Sequence, residues 1–168
     1  VPLESVLRGL IRFFDLPMSY FRTGPDGQEP LRALDLVIMP YICYEVVYPD
    51  FVARSAGAAD ILLTVSNDAW FGTSIGPLQH MQMAQMRALE TGRYLIRDTN
   101  NGVTAVINQN GEVTASVPQF ERNVLKTEVY AYQGLTPVAR YGTLPAVIFS
   151  AAILLLLWRL PTRKPGLH

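Results

Sequence analysis

Three short stretches bring together side chains that could do chemistry: Cys43-Tyr44-Glu45, Asn67-Asp68-Ala69-Trp70-Phe71-Gly72, and His80 in the segment that follows. Cys43 closes a nearly continuous apolar run from Leu34, the pattern of a strand buried on both faces. Reactive groups in open α/β sheets collect at the carboxyl ends of strands. A thiol placed there, ahead of a helix start, meets unpaired amide donors and is a candidate nucleophile. Free cysteines also serve as inert apolar side chains, and position alone leaves both readings open. Tyr44 and Glu45 set a polar pair beside the thiol, although Glu45 also suits a helix's first turn.

Asn67 to Gly72 follows a second apolar run, Ile61 to Ser66, and so should lie beside Cys43 at the same sheet edge. Trp70 and Phe71 either line an apolar substrate site or plug the domain's own rim. Asn67 and Asp68 have a plainer role open to them, closing the turn through side-chain to backbone bonds. His80 is a weak candidate base and better suited to a partly buried polar contact. Arg87 and Glu90, three residues apart, read as a helix-face pair.

Composition removes several function classes. The chain has 168 residues, with 14 basic and 14 acidic side chains, so it lacks the charge excess of a nucleic-acid footprint. One cysteine excludes an internal disulfide framework and a cysteine zinc site, and two histidines make a His-rich metal site equally implausible. No cofactor is expected. Nearly half the residues are apolar (49%) and only 17% are charged, which requires a packed core.

The elements that must position these residues follow from periodicity. The pattern predicts a helix over Ser5 to Phe14, an irregular loop over Asp15 to Pro30, and buried strands over Leu34 to Cys43 and Ile61 to Ser66. The intervening stretch, helical after Pro49 to Gly57, has the length of a parallel crossover. A second helix should run from Pro77 to about Glu90, with Met81, Ala84, Ala88 and Leu89 on one side. Four more strands are expected at Tyr94 to Asp98, Val103 to Ile107, Glu112 to Val117 and Val124 to Val129. Asn101-Gly102 and Asn110-Gly111 read as type I′ turns with two positive φ angles each. The fold class is α/β.

From Thr143 to Trp158 the chain carries no charge. The run is slightly shorter than the roughly 20 residues that span a bilayer, but with its flanks, residues 141–160, a transmembrane helix is feasible. Arg159, Arg163 and Lys164 follow, so the positive-inside bias places the tail, residues 161–168, in the cytoplasm and residues 1–140 on the outer side. The first residue is valine and no signal peptide opens the chain, so it reads as a piece of a longer protein.

Ile42-Cys43-Tyr44-Glu45, Ser66 to Gly72, Gly76-Pro77, His80 to Ala84, Met86 to Glu90 and Thr99 to Thr104, in that order, resemble the carbon–nitrogen hydrolase (nitrilase) superfamily, in particular its membrane-bound acyltransferase branch. The resemblance implies the C-terminal part of an αββα nitrilase-like sandwich over residues 1–140, followed by one transmembrane helix. It further implies a Glu–Lys–Cys triad with Cys43 as nucleophile, supported by Tyr44 and Glu45. Asn67, Asp68, Trp70 and Phe71 match the substrate or lipid-site loop. The family's Glu and Lys lie upstream of its cysteine, whereas Lys126 and Lys164 here lie downstream. An upstream segment of the same enzyme is therefore an expected partner.

The implied reaction takes an acyl chain from a membrane phospholipid onto Cys43. It then passes the chain to the N-terminal α-amine of a diacylglyceryl-cysteine apolipoprotein, at the outer face of a bacterial inner membrane. Two alternatives stand beside it. One is a membrane-tethered amidase or nitrilase of the same superfamily, and the other a catalytically incomplete interaction module.

Overall fold

A computed structural model describes residues 27–159. The expected helix at 5–14, most of the 15–30 loop and the basic tail lie outside the described residues. Within them, a six-stranded mixed sheet runs in chain order: β1 (Leu31–Ala33), β2 (Leu36–Ile42), β3 (Ile61–Ser66), β4 (Tyr94–Thr99), β5 (Ala105–Ile107) and β6 (Val113–Ser116). The central three strands are parallel, and β1, β5 and β6 are added antiparallel. The two parallel crossovers carry helices α1 (Pro49–Ala56) and α2 (Gly76–Thr91). Both start with proline in the first turn, where its missing N–H costs no hydrogen bond. Gly92 ends α2 in the left-handed conformation (φ 63°), the usual device for closing a helix.

Strand alternation divides the core between the sheet's two faces. Met39, Tyr41, Leu62, Leu95, Ala105 and Ile107 turn toward α1 and α2 and join Val46, Val52, Met81, Ala84 and Ala88 in the main cluster. Ile61, Tyr94 and Val106 turn the other way, covered by Leu36, Ile96, Leu125 and Val129. The inward side of α2 differs from the expected one. Leu89 is about half exposed, while His80, Arg87 and Thr91 are buried.

Three other expectations are corrected. Val124 to Val129 is no strand: Leu125 and Val129 do pack inward, but their backbone joins no ladder among the described residues. Period-two alternation reports which side chains face the core, and this segment satisfies it by lying across the sheet's second face. Leu34 does not begin the first strand; with Asp35 it forms a two-residue turn from β1 to β2, at φ 55° and fully exposed. Neither Asn-Gly pair makes a type I′ turn. Gly111 alone has positive φ there (79°), because Asn108 Oδ1 accepts from the N–H groups of Asn110 and Glu112 and organises a wider loop.

The C-terminal run forms two helices, α3 (Pro137–Tyr141) and α4 (Leu144–Arg159), separated at Gly142 (φ 64°). Every residue of α4 is exposed. No helix among the described residues is long and apolar enough to cross a membrane. Asp50 in α1 holds the start of α4, accepting from both the N–H and the hydroxyl of Thr143 at 2.8 and 2.9 Å.

Asp60 ties the sheet to the segment crossing it. Its carboxylate accepts from the Val37 N–H (2.9 Å) and from Gln133 (3.2 Å), and its main-chain carbonyl accepts from Tyr132. Replacing Asp60 by alanine leaves the partly buried Val37 N–H without its acceptor. The expected loss in unfolding free energy is about 1–3 kcal/mol, read as a lower denaturant midpoint at unchanged slope.

Candidate functional site

β2 and β3 run parallel and in register, Ile42 beside Val65. Their carboxyl ends therefore deliver Cys43 and the Asn67–Gly72 segment to one edge, as the sequence predicts. Cys43 is partly buried and opens a 3₁₀ turn, Cys43–Val47, at φ 52°. A side chain with a Cβ pays roughly 1–2 kcal/mol in this left-handed region, so the turn must be held from outside. The α-helix itself starts only at Pro49. The thiol thus stands at a tight turn rather than at the α-helix terminus expected from sequence.

Glu45 braces the turn from one side: its carboxylate accepts from the Ile42 N–H at 2.7 Å. Tyr44 projects outward, about half exposed, and stacks edge-on against Tyr48 at 5.8 Å. Its ring also lies 6.2 Å from that of His80.

The second loop is locked by amide side chains. Asn67 Oδ1 accepts from the Ala69 N–H and from Asn100 Nδ2. Asn100 Oδ1 accepts from the Asp68 N–H. Asn67 therefore takes the turn-closing role, and Asp68 is free to point inward. One 3₁₀ turn, Asp68–Phe71, then presents Trp70 78% exposed, so it plugs nothing among the described residues. Phe71 is less exposed and lies over Gly76, where an added Cβ would stand 2.6 Å from its ring.

Asp68, His80 and Arg97 meet beneath this edge. Arg97 Nη2 donates to Asp68 Oδ2 at 2.7 Å and lies 3.1 Å from His80 Nδ1. His80 Nε2 is 3.2 Å from the main-chain oxygen of Cys43, and Nδ1 is 3.2 Å from Asp68 Oδ1. Both Asp68 and Arg97 side chains are wholly buried, so their pairing is required rather than decorative. Burial and the Arg97 charge pull the His80 pKa below its ordinary range, although Asp68 and the Cys43 carbonyl oppose them. His80 is therefore a buried neutral imidazole, more enclosed than the partly buried contact expected.

Arg97 and Asn100 were not among the candidates read from sequence. The signal for Arg97 was present: it is a charged residue two positions after Leu95, hence on the same inward face of a buried strand. Arg87 and Glu90 do form the expected pair, at 2.7 Å, and Arg87 also donates to the Val47 carbonyl. Among the described residues no group of acidic, histidine and cysteine side chains could hold a metal.

Two outcomes test this geometry. An added Cβ at Gly102 would collide with the Asp68 carboxylate, standing 2.8 Å from its Cγ. Gly102→Ala should therefore destabilise by about 1–3 kcal/mol, seen in thermal unfolding. The second concerns pH. The native state holds His80 neutral while the unfolded chain protonates near pH 6.5, so the unfolded state binds more protons below that value. Stability contributed here is complete above about pH 6.5 and falls as the solution is acidified toward the lower native pKa. His80→Gln should flatten that part of the stability–pH curve in denaturant titrations.

Comparison with known proteins places this arrangement. The carbon–nitrogen hydrolase family matches residues 9–134. The chain is 60% identical over 164 residues to an apolipoprotein N-acyltransferase of Azotobacter vinelandii and 57% identical to that of Pseudomonas aeruginosa PAO1, covering 98% of itself in each case. It spans about a third of those relatives' length, 31% and 32%. Among solved structures, a carbon–nitrogen hydrolase from Helicobacter pylori matches with TM-score 0.56 at 19% identity, over 62% of this chain and 44% of that one. The C. elegans NitFhit protein matches with TM-score 0.54 at 17% identity, over 62% and 27%. At these identities the structures report the fold alone.

Proposed function

This chain belongs to the carbon–nitrogen hydrolase family, and from that premise we propose that it is the C-terminal part of an apolipoprotein N-acyltransferase with Cys43 as its nucleophile. The observation that carries the reading is the placement of Cys43 at φ 52° on the carboxyl end of β2, braced by Glu45. Identity of 57–60% to proteins of that name supports it.

In the first step the Cys43 thiolate attacks the carbonyl carbon of a phospholipid acyl ester. The ester C–O bond breaks, lysophospholipid leaves with a proton, and the acyl chain remains as a thioester. In the second step the α-amine of a diacylglyceryl-cysteine apolipoprotein attacks that carbonyl. An amide forms, the C–S bond breaks, and a proton returns to the thiol. The general-base Glu and the Lys that supports the oxyanion come from the upstream segment of the same enzyme. Splitting one transfer at a strong nucleophile lowers each barrier separately, and an oxyanion donor typically contributes about 3 kcal/mol. Tyr44 and Glu45 support the nucleophile, while Asn67 and Asp68 shape the loop that offers Trp70 and Phe71 to the acyl chain.

Residues 141–160 cross the bacterial inner membrane in this reading, with residues 1–140 on the periplasmic side and the basic tail in the cytoplasm. The support is a helix, exposed along its whole length, that carries no charge until its last residue, Arg159. At 1.5 Å per residue α4 is about 24 Å long, so its flanks must complete a span of roughly 30 Å.

The test uses full-length enzyme with labelled phospholipid and a diacylglyceryl-cysteine peptide, run beside small amides as competing substrates. Transfer to the peptide with negligible amide hydrolysis is expected. Efficient amide hydrolysis without transfer favours a tethered amidase, and neither activity favours an interaction module. Alanine at both Trp70 and Phe71 should reduce transfer at least tenfold while moving the melting temperature by only a few degrees. A collapse in melting temperature with normal turnover per folded molecule would make them core residues instead.

A further inference from the structure

Among the described residues His80 is the side chain that touches both ends of the site: it reaches the Cys43 main-chain oxygen through Nε2 and the Asp68–Arg97 pair through Nδ1. A carbonyl oxygen can only accept, so the contact with Cys43 requires the proton on Nε2. In a neutral ring Nδ1 then carries a lone pair and accepts from Arg97 Nη2. That nitrogen has two hydrogens, and the other goes to Asp68 Oδ2 at 2.7 Å. Arg97 thus stands between two acceptors, and its position on β4 selects the histidine tautomer. The Nδ1 and Asp68 Oδ1 atoms, 3.2 Å apart, are two lone-pair partners brought close by the shared guanidinium.

Cys43 at φ 52° has a reason to relax toward the ordinary helical or extended regions. Two hydrogen bonds bracket the strained residue, one on the 41–42 peptide that precedes it and one on the 43–44 peptide that leaves its own Cα. Glu45 accepts from the Ile42 N–H, and His80 donates to the Cys43 carbonyl. Glu45 is partly exposed and bends back from within the same turn, so it moves with the turn. His80 comes from α2 and is buried with only 4% of its surface exposed. It ties the Cys43 end of the turn to α2, while buried Val46 and the Arg87 bond to the Val47 carbonyl hold the other end.

We propose that His80 is a positioning residue for the nucleophile: its Nε2–H clamps the Cys43 carbonyl and keeps the left-handed turn aimed at the substrate, with the tautomer selected by the buried Asp68–Arg97 pair. His80 takes no proton from the thiol in this account; it acts through the backbone. The inference rests on the reading of Cys43 as the acyl-accepting thiol.

The experiment uses full-length enzyme in detergent or vesicles, with phospholipid as donor, and compares wild type, Cys43→Ala, His80→Gln and His80→Met. Turnover by wild type and its absence in Cys43→Ala establish the nucleophile; any other result overturns the underlying reading, and the clamp with it. Given that result, His80→Met should lower kcat per folded molecule at least tenfold, with KM for phospholipid within about twofold. His80→Gln carries an N–H donor at the Nε2 position and a carbonyl acceptor for Arg97, and should recover kcat to within about threefold of wild type. Equal kcat in His80→Met and wild type overturns the clamp, as does a folded His80→Gln no better than His80→Met. Because the methionine variant is exposed to misfolding, nitrogen NMR of histidine-labelled wild-type enzyme supplies an independent reading. The signal lost in His80→Gln should be that of a neutral ring protonated on Nε2. A ring protonated on Nδ1 contradicts the proposal while leaving Cys43 as nucleophile intact.

Discussion

A guanidinium with no exposed surface lies between the sheet and α2, and the architecture of the site depends on how that charge is met. Arg97 occupies a position on β4 whose neighbours on the same face, Leu95 and Ala105, are core residues. An isolated charge there would be prohibitive, so a carboxylate must come to it. Asp68 does so by turning inward from the loop after β3, and its own N–H is held by Asn100 from the loop after β4. Gly102 is required beside it because a Cβ there would occupy the carboxylate's space. The pair thereby fixes the loop that carries Trp70 and Phe71 relative to the two strands beneath it.

The same pair also orients His80, and through His80 the carbonyl of Cys43. Local backbone strain at a functional position persists when surrounding contacts over-determine it. Cys43 fits that description: the 41–42 peptide before it is held from within the turn and the 43–44 peptide after it from α2. The charge buried on β4 and the turn at the end of β2 are thus parts of one hydrogen-bonded unit, although β3 lies between them.

Much of this was legible in the sequence, for identifiable reasons. Ile61 to Ser66 is bounded correctly because six largely apolar residues end in an Asn-Asp turn, and the first parallel crossover follows from the helix after Pro49. The segment after Pro77 reads as a helix without its role as the second crossover. That Cys43 and Asn67–Gly72 share an edge follows from parallel pairing alone. The segment over 124–129 was misread because alternation marks burial, not backbone pairing. Leu34 was misread because an apolar residue in a tight turn looks like the start of a strand. Arg97 was passed over because its weight comes from partners 29 and 17 residues away in sequence. No local pattern contains Asp68 and His80 together with it. Asn67 and Asp68 read alike in the sequence for the same reason, since only the fold shows that Asn67 closes the turn and Asp68 faces inward.

The central claim is that the turn at the end of β2 presents a thiol that becomes acylated. The most direct measurement is the intact mass of full-length enzyme after incubation with phospholipid in the absence of any acceptor, before and after hydroxylamine. A single acyl adduct that maps to Cys43, is removed by hydroxylamine and is absent from Cys43→Ala is the predicted result. An adduct that persists in Cys43→Ala, or that maps to a serine or lysine, would contradict the account.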